Sequence, residues 1–231
     1  MKAYTSNNIR NIAVLGHGGK GKTTLCEAML YIAGASDRLG RVADGNTVLD
    51  FDSEEKRRKS SVSSAMAALE WDNTKLNIID APGLFDFEGG AAEAVRAAEA
   101  VLIVTSAGSG VDVGTEKAFR AADKKGAAKF FAVTKTDSDH RNFYKTFDAL
   151  KEVYGNKLCP TIIPYMEGNI TKCYVNLMTG MAFSYDENGK ATKVPVPEDS
   201  VIEEMTSAFM EAVATLSLIH ISEPTRLDVI S

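Results

Sequence analysis

Short apolar runs alternate with amphipathic stretches over the first two thirds of the chain. The apolar runs predict four strands, at 12–16, 76–80, 100–107 and 129–135. The stretches around them repeat their apolar residues with helical spacing, at 23–34, 89–99, 114–126 and 142–154. Near-continuous apolar strands that alternate with helices are typical of a parallel sheet covered on both faces. We therefore predict an α/β fold over residues 1–155, a mostly parallel sheet with helices on both faces.

The pattern changes after about residue 155. Short strands are predicted at 161–165, at 173–177 and within 181–196, where an Asp-Glu-Asn-Gly stretch supplies the turn of a hairpin. A helix is predicted over 197–215, because apolar residues recur every four positions after a capping Asp199 or Ser200. Residues 156–215 are therefore predicted to form a small α+β element attached to the α/β core.

The last sixteen residues, 216–231, do not continue the pattern of that helix. Ile219, Ile221 and Pro224 interrupt it, and residues 216–226 match a translated sequencing adapter of the transposase type. We expect a non-native tail here, produced by a reading frame that ran on into library DNA, and we leave it out of the fold argument. An ordinary tail is the alternative.

A glycine-rich segment, GHGGKGKT at 16–23, joins the first strand directly to the first helix. It fits the pattern G-x-x-x-x-G-K-[ST], in which backbone N–H groups and a helix N-terminus surround phosphate oxygens. Lys22 is expected to reach the terminal phosphates and the Thr23 hydroxyl to bind Mg²⁺. An exposed turn is the alternative. The residues expected to contact the nucleotide are His17, Gly18, Gly19, Lys20, Gly21, Lys22, Thr23 and Thr24.

Two further strand ends indicate which nucleotide is bound. The strand at 76–80 ends in Asp80, which can hold Mg²⁺ through water, and continues as Ala81, Pro82 and Gly83, a backbone placed to sense a terminal phosphate. The strand at 129–135 ends in Thr134 and Lys135 and is followed by Asp137. A carboxylate there accepts two hydrogen bonds from guanine, a pair that adenine does not offer. A solvated charged loop is the alternative for this last motif taken alone.

These motifs, in this order, resemble the GTPase domain of translational GTPases, especially elongation factor G and its elongation-factor-G-like branch. The likeness covers about residues 8–215 and rests on GHGGKGKTT (16–24), DAPGLFDF (80–87), SAGSGVDVGTE (106–116) and TKTD (134–137). The resemblance implies a Rossmann-like P-loop NTPase fold, GTP or GDP and Mg²⁺ as ligands, and the ribosome as partner. It also implies that 156–215 corresponds to part of the insertion in the GTPase domain of elongation factor G.

Two positions weaken the match without abolishing it. Thr134 stands where the family has an asparagine that bridges to the phosphate loop, so it keeps a hydroxyl but no amide. Ser61 best matches a family threonine that closes over Mg²⁺, and it retains the hydroxyl ligand, unless it is only a polar loop residue. The basic residues 56–59 either face ribosomal RNA phosphates or are solvated.

Leu84 is the largest departure. In the family, a histidine follows DxPG and orients the attacking water, whereas leucine neither donates nor accepts a hydrogen bond. His17 and His140 are interpreted as structural or solvated and not as its substitutes. The candidate catalytic positions are therefore Lys22, Gly83 and Leu84, with hydrolysis itself left open.

Charge and composition exclude several other classes of protein. A net charge of −5 argues against a general nucleic-acid binder, DNA included, and 45% apolar residues exclude a mostly disordered chain. No apolar run is long enough for a membrane span, and the polar N-terminus lacks the apolar core of a signal peptide. Three cysteines without a CxxC pair suggest a reducing compartment. We expect a cytoplasmic monomer.

Three functions follow from these observations. The first is a translational GTPase domain that couples GTP binding and hydrolysis to ribosome work. The second is a GTP-dependent switch with little or no hydrolysis, which Leu84 favours. The third is an unrelated P-loop ATP enzyme, which Asp137 disfavours. The family's fifth motif and the further domains of elongation factor G are not found in the sequence, so we interpret the chain as an N-terminal fragment.

Overall fold

The computed structural model describes residues 3–136, 143–155, 158–168, 170–186 and 189–222. The helices are α1 (Lys22–Ile32), α2 (Ser53–Arg58), α3 (Glu88–Ala97), α4 (Val113–Lys125), α5 (Phe143–Tyr154) and α6 (Ser200–Ser222). The strands are β1 (Ile9–Leu15), β2 (Ala65–Trp71), β3 (Thr74–Asp80), β4 (Ala100–Ser106), β5 (Ala128–Thr134), β6 (Ile162–Glu167), β7 (Ile170–Asn176), β8 (Met181–Tyr185) and β9 (Ala191–Val194). The chain divides into two compact units, Met1–Thr136 and Asp137–Ser231.

The first unit contains a five-stranded sheet in the order β2-β3-β1-β4-β5. Strand β1 pairs in parallel with β3 and β4, and β4 pairs in parallel with β5. The edge strand β2 runs antiparallel to β3 and was not predicted from the sequence. The mostly parallel sheet confirms the predicted fold class.

Apolar residues fill the space on both faces of this sheet. Along β1, Val14 points to one face, where it packs in the same cluster as Cys26 and Leu30 of α1. Its neighbours Ala13 and Leu15 point to the other face, in a cluster with residues of α3 and α4. The two-sided burial explains why the strands read as near-continuous apolar runs. Because β1, β3, β4 and β5 share one direction, their carboxyl ends lie at one edge of the sheet, where ligands of such folds bind.

The second unit contains an antiparallel sheet in the order β6-β7-β8-β9. Ile163, Val175 and Ala182 from three of its strands are buried with Ile202 of α6, and Phe143 of α5 packs against them. Helix α5, which the sequence predicts within the core at 1–155, therefore groups with the second unit.

The last helix extends further than the sequence predicts. The backbone of α6 is helical as far as Ser222, seven residues beyond the predicted end at 215. The remainder of the predicted tail, 223–231, and the two central residues of the predicted hairpin turn, 187–188, lie outside the described residues. Within the part of the chain that the structure describes, no helix is long and apolar enough to cross a membrane.

Candidate nucleotide site

The glycine-rich loop turns at the carboxyl end of β1 and leads into α1. Gly21 has φ = 88°, a left-handed conformation that glycine adopts without strain, and it is the N-cap residue of α1. Gly16 lies so close to β4 that a Cβ would stand 2.2 Å from the Val104 carbonyl oxygen. A glycine N-cap supplies no side-chain acceptor, so the first N–H groups of α1 remain available to an anion.

Lys22 lies inside this loop. Its side chain is buried, and its ammonium donates a hydrogen bond to the His17 carbonyl oxygen at 3.1 Å. Burial lowers the pKa of Lys22, while the nearby Asp80 opposes that shift. A cation held by one carbonyl in a buried loop is electrostatically under-compensated, and phosphate oxygens would supply the missing negative charge.

Gly83 brings the segment after β3 against the same ammonium. A Cβ on Gly83 would stand 2.2 Å from Lys22 Nζ and 2.8 Å from both the Gly16 carbonyl oxygen and the Gly18 nitrogen. Only glycine therefore allows this approach. Between β3 and Gly83, Ala81 and Pro82 are buried, and the Ala81 N–H donates to Val14 O at 3.2 Å.

Four oxygen-bearing side chains meet beside Lys22. The Thr23 hydroxyl donates to Asp80 Oδ2 at 2.6 Å, and the Ser61 hydroxyl donates to Asp50 Oδ1 at 2.7 Å. The two hydroxyl oxygens are 3.1 Å apart. Each hydroxyl has a single proton, and both protons are used on the carboxylates. While both carboxylates are ionised, the contact between Thr23 and Ser61 brings two lone pairs together, an arrangement suited to a cation; once a carboxyl group is protonated, one hydroxyl can instead donate to the other.

The carboxyl groups of this cluster retain protons more readily than usual. Burial raises the pKa of Asp80 to about 7, although the Thr23 hydroxyl and Lys22 act in the opposite direction. Burial also raises the pKa of Asp50, against the hydrogen bond from Ser61. Asp80 Oδ1 and Asp50 Oδ2 are both buried without a hydrogen-bond partner among the described residues. An all-oxygen set with unsatisfied buried carboxylates fits Mg²⁺.

Asp50 was missed in the sequence. It lies in an irregular stretch between α1 and α2, in no recognisable motif, and no periodicity marks it. Ser61, which the resemblance suggested, lies 3.1 Å from the Thr23 hydroxyl, which in turn donates to Asp80. The described residues contain no group of three or more His, Cys, Asp or Glu side chains that could hold a metal, so any ion here would rely on the hydroxyls and on water.

The end of β5 is tied to the back of the loop. The Thr134 hydroxyl lies 2.7 Å from Lys20 O and 3.1 Å from Thr105 O, so it reaches the loop without the amide of the family's asparagine. Lys135, with φ = 57°, donates from Nζ to Gly19 O at 2.7 Å. Asp137 and His140 lie outside the described residues.

Two loop side chains point elsewhere than to the centre of the loop. The Lys20 ammonium forms an ion pair with Asp112, at 3.1 Å, and Asp112 caps the start of α4. Lys20 can therefore serve a nucleotide only through its backbone while that pair persists. Thr24 is exposed in the first turn of α1.

Leu84 and Phe85 cover one side of the loop. A Cβ on Gly18 would stand 3.1 Å from Leu84 Cδ2, so the leucine lies directly over this glycine. The Phe85 ring packs against His17, with centroids 5.5 Å apart, and Lys117 Nζ of α4 lies 4.3 Å from the Phe85 centroid. His17 Nδ1 is buried without a hydrogen-bond partner among the described residues.

Comparison with known proteins supplies the family. Residues 7–222 match the family model described as the elongation factor Tu GTP binding domain. The chain belongs to this family. The match confirms the predicted P-loop fold and the likeness to translational GTPases, and it identifies the chain as a GTP-binding domain. It extends to residue 222 and thus includes the first seven residues of the predicted tail.

Several relatives of this GTP-binding domain are named as elongation factors. It is 34% identical over 206 residues to the elongation factor G-like protein of Mycobacterium tuberculosis H37Rv, covering 89% of the chain and 28% of that protein. It is 30% identical over 213 residues to elongation factor G of Mycoplasma genitalium, covering 90% of the chain and 31% of that protein. The crystal structure of ttk003000868 from Thermus thermophilus superposes with a TM-score of 0.81 at 35% identity, covering 88% and 30% of the two chains. The chain therefore spans less than a third of the length of these relatives.

Proposed function

We propose that this chain is the nucleotide-binding and GTP-hydrolysing domain of an elongation-factor-G-like translational GTPase, and that its intrinsic hydrolysis is slow. The observation that carries the proposal is the oxygen cluster of Thr23, Ser61, Asp50 and Asp80 beside Lys22, at the N-terminus of α1. Phosphate charge would compensate Lys22, and a divalent cation would compensate the carboxylates. The parent protein would act on the ribosome, as its relatives' names as elongation factors suggest.

Phosphate binding is assigned to the loop and to α1. The uncapped N–H groups at the start of α1 donate to phosphate oxygens, and Lys22 exchanges its bond to His17 for a bond to phosphate. The Gly83 backbone lies next to the ammonium, where its N–H would register whether a terminal phosphate is present. This charge stabilisation by fixed donors is the main resource of phosphoryl transfer.

Mg²⁺ is assigned to the oxygen cluster. Thr23, Ser61 and Asp80 would hold it, together with Asp50, which the sequence did not reveal. When bound, the ion neutralises charge that develops on the phosphates. Asp80 must lose its proton to take part, so we expect Mg²⁺ affinity to rise with pH through about 7.

Slow hydrolysis is assigned to Leu84. Its side chain lies over Gly18 of the phosphate loop, and it directly follows Gly83, beside which we expect water to approach a terminal phosphate. An apolar group there excludes water without orienting it, whereas positioning groups contribute orders of magnitude to the rate of this chemistry. The same observation favours a second function, a GTP-dependent switch that does not hydrolyse GTP by itself.

Nucleotide competition tests the binding assignment. Labelled GDP bound to the full chain should be displaced by GTP and not by ATP, because guanine alone offers two donors to Asp137. Omitting Mg²⁺ should accelerate GDP release. Equal displacement by ATP would contradict the guanine assignment.

Single-turnover GTP hydrolysis tests the role of Leu84. We expect GTP hydrolysis to be slow in the wild type and faster in Leu84→His. Leu84→Ala opens the same space without adding a hydrogen-bonding group. It therefore shows whether the leucine slows hydrolysis by excluding water or by failing to orient it. The reaction is measured with the full-length parent and ribosomes as well as with this chain. Rapid hydrolysis by the wild type in both settings would mean that another group positions the water.

A further inference from the structure

The segment between α1 and β2 carries both Asp50 and Ser61, yet much of it is irregular. Residues 46–52 form neither helix nor strand, and residues 59–64 lie between α2 and β2. Such backbone does not fix a side chain by itself, because its N–H groups lack the partners that a helix or sheet provides. The 2.7 Å hydrogen bond between Ser61 and Asp50 therefore needs another source of support to hold the two side chains in place.

The first source is Glu27, on α1. Its side chain is fully buried, and Oε1 accepts hydrogen bonds from the Val48 and Leu49 N–H groups at 2.7 and 3.0 Å. Its other oxygen lies against Gly40, where a Cβ would approach to 2.1 Å. The carboxylate thus holds the two peptide groups that lead directly to Asp50.

The second source is Glu55, on α2. It is 2% exposed, and Oε1 accepts hydrogen bonds from the Val62 and Ser63 N–H groups at 3.0 and 3.1 Å. Its Oε2 accepts from the Asp52 N–H, which closes a capping box at the start of α2. This carboxylate thus holds the two peptide groups that directly follow Ser61.

The two glutamates flank the hydrogen-bonded pair of Asp50 and Ser61 in the same way. Each accepts two consecutive backbone N–H groups with one oxygen, one pair ending just before Asp50 and the other beginning just after Ser61. We propose that Glu27 and Glu55 are positioning residues that set the Mg²⁺ affinity of this domain, an inference that rests on the proposed metal site.

Substitution distinguishes positioning from general stability. Glu27→Ala and Glu55→Ala remove the acceptors, so Asp50 and Ser61 lose their fixed placement. Glu27→Gln keeps one carbonyl oxygen that can accept from Val48 and Leu49, and it therefore serves as the conservative rescue. Glu54→Ala is the matched control, because Glu54 lies next to Glu55 on α2 but is only partly buried. Its carboxylate accepts hydrogen bonds from Arg57 and Arg58 instead of from the backbone around Ser61.

The experiment measures release of fluorescent GDP from the full chain against free Mg²⁺ concentration. Loss of a residue that orients metal ligands typically costs about 10–100-fold in metal affinity. We expect a shift of this size in the Mg²⁺ midpoint for both alanine variants, little shift for Glu27→Gln, and none for Glu54→Ala. GDP release in EDTA should be the same in all of them. Amide hydrogen exchange at Val48, Leu49, Val62 and Ser63 should quicken only where the acceptor is lost.

Several results would overturn the inference. An unchanged Mg²⁺ midpoint in both alanine variants refutes it, as does an equal change with and without Mg²⁺, which would show a purely structural role. If the alanine variants do not fold, the decision falls to Glu27→Gln, whose midpoint must lie close to that of the wild type while its exchange at Val48 and Leu49 stays slow. GDP binding by the wild type that ignores Mg²⁺ would refute the metal site and this inference together.

Discussion

We expect the nucleotide-free protein to lose stability as the pH rises from about 4 to 7, because Asp80 must then give up a proton inside the fold. Its pKa is raised from 3.8 to about 7, mainly by burial. A group with a raised folded-state pKa binds its proton more tightly in the folded than in the unfolded chain. Its stabilising contribution is therefore complete below the unfolded pKa and is lost as the pH rises through the folded value.

The size of this effect follows from the shift. Each unit of pKa shift corresponds to about 1.4 kcal/mol, so a shift of about three units amounts to about 4 kcal/mol between the two limits. This is a large part of the roughly 5–15 kcal/mol that stabilises a typical domain. Asp50 adds a contribution of the same sign, since its pKa is also raised by burial.

Urea unfolding in EDTA without nucleotide measures the effect, with the fluorescence of Trp71 as the signal. Trp71 lies in β2 and is the single tryptophan of the chain, so it reports on the first unit. Asp80→Asn is the informative variant, because its amide cannot ionise but its carbonyl can still accept from Thr23. The unfolding free energy of the wild type should fall with pH relative to this variant, by up to about 1.4 kcal/mol per pH unit.

Two further measurements complete the test. In Asp112→Asn the slope of unfolding free energy against pH should match that of the wild type over this range. Burial raises the pKa of Asp112, but hydrogen bonds from Thr115 and Lys20 outweigh burial and lower it overall. Asp112 therefore changes its contribution to stability below this range. Saturating Mg²⁺ and GDP should remove the loss of stability, since a cation favours the ionised Asp80. Parallel pH profiles for the wild type and Asp80→Asn would refute the reasoning.

Three other predictions concern the loop and its neighbours. Gly83→Ala places a Cβ within 2.8 Å of two backbone atoms of the loop. Such overpacking should lower the free energy of unfolding in urea by about 1–3 kcal/mol. An unchanged unfolding midpoint would exclude this close approach. Asp137→Ala leaves two guanine donors unpaired at a cost of about 1–3 kcal/mol, so a titration should show GDP binding weakened roughly tenfold to a hundredfold; equal affinity would remove the guanine assignment. Thr134→Val loses the hydroxyl that reaches Lys20 O and should lower the unfolding free energy by about 0.5–1.5 kcal/mol, whereas Thr134→Ser should not.

The elements that the sequence predicted are those with strong periodicity. The runs that became β1, β3, β4 and β5 are apolar on both faces, and the helices between them carry apolar residues at helical spacing. Strand β2 was missed for the opposite reason. Its sequence AMAALEW contains three alanines and has no clean alternation of apolar and polar residues, so pairing with β3 and not its own pattern makes it a strand.

The residues of the candidate site likewise fall into those that the sequence predicted and those that it did not. The loop and Asp80 were predicted because they follow strands in a motif whose spacing is local. Asp50, Glu27 and Glu55 were missed because their roles depend on contacts between residues 7–22 positions apart, which leave no periodic trace. A buried acceptor of backbone N–H groups reads in the sequence as one more acidic residue among many.

The strands of the two sheets differ in how soon during synthesis their pairing partners emerge. In the antiparallel sheet, neighbouring strands meet across short connections, such as Asn176 with Met181 and Tyr185 with Ala191. Strand β1, by contrast, needs β3 and β4, which pair with it as Ile9 with Lys75 and Leu15 with Ile103. At a synthesis rate of about 5–20 residues per second, β1 waits roughly 5–20 s for both partners. Its apolar residues therefore stay unpaired during synthesis for far longer than those of the hairpins, which raises the risk of aggregation before folding.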